Sequence, residues 1–360
     1  MLDPDDPPRS PAIAAALGPV RAALRLALGD SDPAGPPRKL LVACSGGADS
    51  IAALGLLTLL RRSERLELAV GHVDHQLRPE SGAEADHVAA LAAALGLPCQ
   101  RTAVTLAPGP GLPARARLVR QGALRSQAAE LGAGLIVLAH TATDQAETML
   151  MHATRGAGLD GLAAMPVLVR PWLRPLLDLT RAQTRELAGA LGLGFVDDPT
   201  NDDLRGLRVR VRKQVLPVLR EHNPRVEQAL LGLARQAADA EQACQRWAEA
   251  EVRSRSRSEG EGSGQSWDLA GFDQLPRAVR MRALRRMCEL AAVDLAQLLA
   301  RVIEAMDAAA VAVAEAEARG PGTPKPAPRG WDLSPRRRMT IDKNGVHAQQ
   351  TAQAGERSNH

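Results

Sequence analysis

The chain has 360 residues, 45% of them hydrophobic, with a formal charge of +4 and a pI near 9.2. That length suggests two domains or one large one, with enough chain to bury a real core. No run of 18 uninterrupted apolar residues occurs, which argues against a membrane span. The acidic, Pro-rich start MLDPDDPPRSP lacks the basic and apolar regions of a secretion signal. Four scattered cysteines, Cys44, Cys99, Cys244 and Cys288, form no CxxC. They suggest neither zinc nor a disulfide framework and fit a reducing cytoplasm. Only four of the 45 basic residues are lysine. Arginine suits phosphate recognition, because its planar fork matches phosphate oxygens, but charge alone is equally compatible with a solvated surface. Tyrosine is absent and only two phenylalanines are present, so base stacking is expected to fall to tryptophan, histidine or arginine planes.

Residues 1–36 read as a Pro-rich tail around a short helical region at 13–28, interrupted at Gly18-Pro19. A strand–helix rhythm then begins. Strands are expected at 40–44, 66–73, 101–106 and 135–139, and helices at 50–60, 80–95, 114–131 and 144–154. A fifth strand is expected at 167–169 and a further helix at 181–191. The rhythm predicts an α/β domain, a doubly wound, mostly parallel sheet covered on both faces, over 37–218. Beyond residue 219, segments 224–253 and 276–317 are Ala/Leu/Arg-rich with helical periodicity. They are expected to form a smaller helical domain at 219–347, split by the linker RSRSRSEGEGSGQS. Residues 331–346 suggest a hairpin turning at Lys343-Asn344-Gly345, and 348–360 a disordered tail.

Between the first strand and helix lies Ser45-Gly46-Gly47-Ala48-Asp49-Ser50. Glycines here let backbone N–H groups approach an anion, and the following helix aims its positive end at the same point. A lysine, usual in such loops, is absent. Asp49 cannot bind phosphate itself, but it can hold Mg²⁺, which bridges phosphate oxygens. That arrangement suits grasping a leaving pyrophosphate. His72 and Asp74 end the second strand, where ligands of open α/β sheets bind; read as a metal site, His72-x-Asp74-His75 lacks a further cluster. His140 ends the fourth strand and Asp144 opens the next helix, with Asp144, Glu147 and Thr148 on one face. Arg117 and Arg120 lie about one turn apart on their helix. Leu204, Leu207, Val211 and Val215 form a helical stripe, which gathers Arg205, Arg208 and Arg212 on another face as a basic ridge.

SGGADS resembles the signature of the PP-loop ATP pyrophosphatases, a superfamily of adenine nucleotide α-hydrolase-like fold. Four further segments resemble the tRNA(Ile)-lysidine synthetases: HVDHQLR from His72 with Ser81 and Glu84; HTATDQAET from His140, continuing to RGAGLDGL; LPARARLVRQGAL from Leu112; and DPTN from Asp198 with RVRVR from Arg208. The match is good over 38–220 and fainter to about 347. It departs at Thr143, where relatives have a second aspartate, and at Val209, where they have asparagine.

The resemblance implies that ATP adenylates C2 of the wobble cytidine in the CAU anticodon of tRNA(Ile). Free L-lysine then displaces AMP. It implies ATP on Ser45, Gly46, Gly47, Ala48, Asp49, Ser50, His72 and Asp74, with Mg²⁺ on Asp49. It places Asp49, His140, Asp144, Arg208 and Arg212 at the reacting centre, and Arg117, Arg120, Arg205, Arg208 and Arg212 on RNA. A cytoplasmic enzyme without membrane contact is expected, its oligomeric state open, with a homodimer among the options. The alternatives are a non-catalytic tRNA-binding relative, a tRNA thiolase, which would use catalytic cysteines, and an amide-forming synthetase.

Overall fold

The computed structural model describes residues 2, 8–29, 35–74, 76, 81–105, 107, 109, 111–196, 206–257, 265–291, 300–321, 323–334 and 337–350. His75, Leu77, Arg78, residues 198–205 with Arg205, most of the Ser/Gly linker and residues 351–360 therefore lie outside the description. The chain divides into two compact units, Met1–Ala238 and Asp239–His360.

In the first unit, helix α1 (Pro11–Leu28) precedes strand β1 (Arg38–Ala43), α2 (Ala48–Leu60), β2 (Leu66–Asp74), α3 (Ser81–Ala94), β3 (Cys99–Ala103), α4 (Leu112–Glu130), β4 (Leu135–Val137), α5 (Ala142–Ala153) and a short α6 (Leu159–Leu162). Strands β5 (Leu168–Val169) and β6 (Trp172–Leu173) and helix α7 (Arg181–Ala190) follow, then α8 (Leu207–Arg210), a π turn (Val211–Val215), α9 (Leu216–His222) and α10 (Val226–Arg255). The sheet order is β3-β2-β1-β4-β6-β5. All neighbours are parallel except β5, which runs antiparallel to β6. The chain leaves β1 toward β2 and β3, then returns to β1's other side as β4. Ligands of open α/β sheets bind in the crevice that such a reversal opens at the strands' carboxyl ends.

Helix α2 is buried nearly all round, from Ser50 to Leu60. Such a helix has the sheet on one side and other helices on the other; here they are α1 and α7. The expected break at Gly18-Pro19 does not occur: α1 runs through Pro19. Its stripe of Ile13, Ala16, Val20, Leu24 and Ala27 packs into the core, and this burial outweighs the hydrogen bond that proline cannot donate. By length and apolarity α1 is the one described helix that could span a membrane, yet that stripe is occupied by the core.

The second unit contains the end of α10, α11 (Arg277–Leu290) and α12 (Ala300–Ala318). Between α10 and α11 come β7 (Ser256–Arg257) and β8 (Ser266–Trp267); after α12 come β9 (Arg329–Ser334), β10 (Arg337–Asp342) and β11 (Gly345–Gln350). These form an antiparallel sheet of order β7-β8-β11-β10-β9. The expected hairpin is thus part of a five-stranded sheet, and residues 348–350, expected to be disordered, extend β11. Trp267, Phe272, Met287, Met306 and Met339 centre its core.

Candidate active site

The loop after β1 is built from its own backbone and hydroxyls. Gly46 takes φ +88°, a left-handed conformation open to glycine, and its carbonyl accepts from Val196 N at 2.9 Å. Gly47 caps α2. Ser50 Oγ donates to Gly47 O at 2.9 Å and accepts from Ser45 N at 3.2 Å, so the buried hydroxyl clamps the turn. His72 is buried too, its Nδ1 2.8 Å from Cys44 O. It therefore ties β2 to the base of the loop. Asp74 Oδ1 accepts from Gln76 N at 2.8 Å.

Asp49, on the first turn of α2, and Asp144, on the first turn of α5, converge on Arg181 at the start of α7. Arg181 Nε lies 3.4 Å from Asp49 Oδ2, and its Nη2 3.4 Å from Asp144 Oδ1. Thr184, one turn on, donates its hydroxyl to Asp49 Oδ1. Burial pushes the Asp49 carboxyl above its ordinary range, against the pull of Arg181 and Thr184. Burial would do the same to Asp144, but Arg181 and the Thr141 N–H hold it below. Thr141 N and Oγ1 each donate to Asp144 Oδ2 at 2.9 Å, closing a capping box that fixes the carboxylate.

Behind this pair, Glu147 is fully buried. Arg212 grips it with Nε to Oε1 at 2.5 Å and Nη2 to Oε2 at 3.0 Å. Arg208 Nε stands 3.4 Å from Oε2, and its Nη2 donates to Thr148 at 2.7 Å. Arg208 and Arg212 do share a face, as the helix reading expected, and that face turns to α5. The apolar stripe differs. Val211 and Leu216 are buried, five residues apart, while Leu207 and Val215 are exposed. The π turn explains it: Leu216 N–H bonds back to Val211 O, and one extra residue shifts the helix phase. Pro217 follows and has no N–H to continue the regular ladder.

Thr143 does not stand in for a carboxylate facing Asp49. Its hydroxyl accepts from Arg181 N at 3.1 Å and donates to Glu227 Oε1 at 3.3 Å. Glu227 is buried and paired with Arg220. Thr143 therefore supports the helix that carries Arg181. His140 is half-buried at the end of β4. Burial first, then the charges of Arg174, Arg117 and Arg208, lower it to about 4 against the pull of Asp144, so it is neutral near pH 7. Arg117 and Arg120 lie on the exposed side of α4.

Arg181 and Thr184 escaped sequence reasoning because their roles come from α7 packing on α2; Thr180 and Gln183 signal only a helix start. The donor set fits Mg²⁺: the two carboxylates that face Arg181 offer the oxygen ligands of a cation commonly held by one or two carboxylates plus substrate phosphates. Among the described residues no cluster of three or more His, Cys, Asp or Glu offers a metal cage of protein ligands alone.

A PP-loop domain family matches residues 24–219. The chain is 40% identical over 292 residues to the tRNA(Ile)-lysidine synthase of Thermobifida fusca, covering 80% of this chain and 87% of that protein. It is 39% identical to that of Bordetella bronchiseptica, covering 76% and 79%. Among solved structures, the U34-tRNA thiolase NcsA from Methanococcus maripaludis superposes with a TM-score of 0.51 at 18% identity, over 63% of this chain and 79% of that one; this likeness is one of fold. A PP-loop domain, a carboxylate pair at the reversal of strand order, and relatives of this identity and coverage agree: the chain belongs to the tRNA(Ile)-lysidine synthase family of PP-loop proteins.

Proposed function

We propose that the chain is a cytoplasmic, ATP-dependent ligase that attaches free L-lysine to C2 of the wobble cytidine of a CAU-anticodon tRNA(Ile). AMP and pyrophosphate are released. The observation that carries this reading is the convergence of Asp49 and Asp144 beside the glycine loop, at the topological reversal of the sheet. Loop N–H groups and the N-terminus of α2 receive the pyrophosphate portion of ATP, with His72 and Asp74 at the adenine side. Mg²⁺ held by Asp49 and Asp144 would offset phosphate charge. Adenylation turns the cytidine C2 oxygen, a poor leaving group, into a good one. Neutral His140 is suited to hydrogen-bonding at the reacting centre rather than to holding a charge. Glu147, Arg212 and Arg208 fix the first turns of α5 and thereby Asp144. Arg117 and Arg120 are assigned to RNA phosphates, and the unit from Asp239 onward to further tRNA contact.

The test is pyrophosphate release from ATP in the presence of CAU tRNA and lysine. Wild type is expected to release it, and Asp49→Ala to lose release while still binding tRNA. Pyrophosphate release by Asp49→Ala at the wild-type rate would refute the loop assignment.

A further inference from the structure

Arg174 immediately follows Leu173, the last residue of β6. Strand β6 pairs with β4, whose end leads to His140. Arg174 is 7% exposed. Its Nη1 donates to Pro166 O at 3.0 Å. Its Nε is buried without a partner, and so is His140 Nδ1. Among the described residues, no carboxylate pairs with Arg174. A guanidinium carries its charge permanently, and burying one without a counter-ion costs several kcal/mol. Such a group is tolerated where a ligand supplies the anion.

Trp172 packs with Leu124 and Ala128 of α4, and Arg174 stands two residues on, just past the end of β6. Earlier turns of α4 bring Arg117 to the same end of the sheet. Burial first, and then the charge of Arg117, lowers the Arg174 guanidinium. The glycine loop follows β1, two strands away, or roughly 10 Å at the usual strand spacing. His72 and Asp74 lie beyond it on β2. On the functional reading above, which sets the adenine by His72 and Asp74 on β2, Arg174 lies on the other side of the glycine loop. A side chain this buried is reached by a small carboxylate more readily than by a polymer backbone, and its planar fork matches a carboxylate.

We propose that Arg174 binds the α-carboxylate of the amino-acid substrate, in a pocket between the ends of β4 and β6 beside His140. This rests on the functional reading above. A charge-assisted hydrogen bond contributes about 1.5–3 kcal/mol, which is about tenfold or more in affinity.

The experiment compares lysine with cadaverine, the same amine chain without a carboxylate. In Arg174→Met, KM for lysine is expected to rise at least about tenfold while KM for cadaverine stays nearly constant, so the preference for lysine collapses. Arg174→Lys is expected to retain part of the preference, and KM for ATP to stay unchanged in both. Thermal melts establish that the variants are folded. Equal losses on lysine and cadaverine would overturn the proposal, as would an unchanged lysine KM with weakened tRNA binding, which would make an RNA phosphate the ligand. If wild type transfers neither amine, the functional reading fails. The carboxylate site is then judged by calorimetry: lysine bound by wild type and lost in Arg174→Met supports it, and no binding to wild type ends it.

Discussion

Arg212 meets Glu147 through two parallel hydrogen bonds, at 2.5 and 3.0 Å, and the carboxylate is wholly buried. Breaking a buried ion pair from one side leaves a charge without compensation and costs about 3–5 kcal/mol. Glu147→Gln should therefore lower unfolding stability by about that amount, measured by urea denaturation, because Arg212 and Arg208 both lose the carboxylate they share and Arg212 keeps only Asp144, at 4.0 Å. A loss under about 1 kcal/mol would mean that the network is solvated in solution.

The same pairing separates two sets of arginines. Arg117 and Arg120 are exposed, whereas Arg212 is spent on Glu147. Each RNA phosphate contact removed should reduce the salt slope of tRNA binding by about 0.7–0.9. Replacing Arg117 and Arg120 with glutamine should flatten the slope by about twice that, while Arg212→Gln should leave it unchanged. A flattened slope in Arg212→Gln would show that Arg212 leaves Glu147 when RNA binds.

Thr143 is the position where the family pattern has a second aspartate. From sequence alone, Thr143→Asp is expected to tighten Mg²⁺ dependence. The hydroxyl's bonds to Arg181 N and Glu227 predict otherwise. A carboxylate there would face buried Glu227 and lose a donor, costing about 1–3 kcal/mol. The expected result is a lower melting temperature with unchanged Mg²⁺ dependence; a lower Mg²⁺ requirement at constant stability would return position 143 to the metal shell.

His140 titrates at about 4 in the fold, against an ordinary 6.5. A basic group whose pKa is depressed by folding stabilises the fold above its unfolded pKa, and that stability is lost as pH falls. His140 should therefore cost stability progressively between pH 6.5 and about 4, at up to about 1.4 kcal/mol per unit. His140→Asn should flatten the stability profile over that window relative to wild type. Parallel profiles would place the imidazole in solvent.

The α/β rhythm was legible because its strands are apolar runs bounded by helices at 3.6 periodicity. The loop was legible because SGGADS sits between the clearest strand and helix. The parallel partner of β4 was not: the expected strand at 167–169 is the antiparallel β5, and β6 has only Trp172 and Leu173, too short to show a period. Arg174 was missed with it. The stripe named Val211 rightly, but the π turn hid the burial of Leu216, because a constant helical period assigns Val215 instead. Arg181, Thr184 and Glu227 reach the site only through tertiary packing, which no local pattern encodes.

The central claim is tested most directly by incubating the purified chain with ATP, Mg²⁺, labelled lysine and CAU-anticodon tRNA(Ile), then analysing the tRNA nucleosides by mass spectrometry. The account predicts lysine joined to the wobble cytidine, dependent on ATP, with one AMP formed per lysine transferred and none of this product with Asp49→Ala. Unmodified cytidine in a tRNA that the protein binds tightly would contradict it and leave a tRNA-binding protein without this activity.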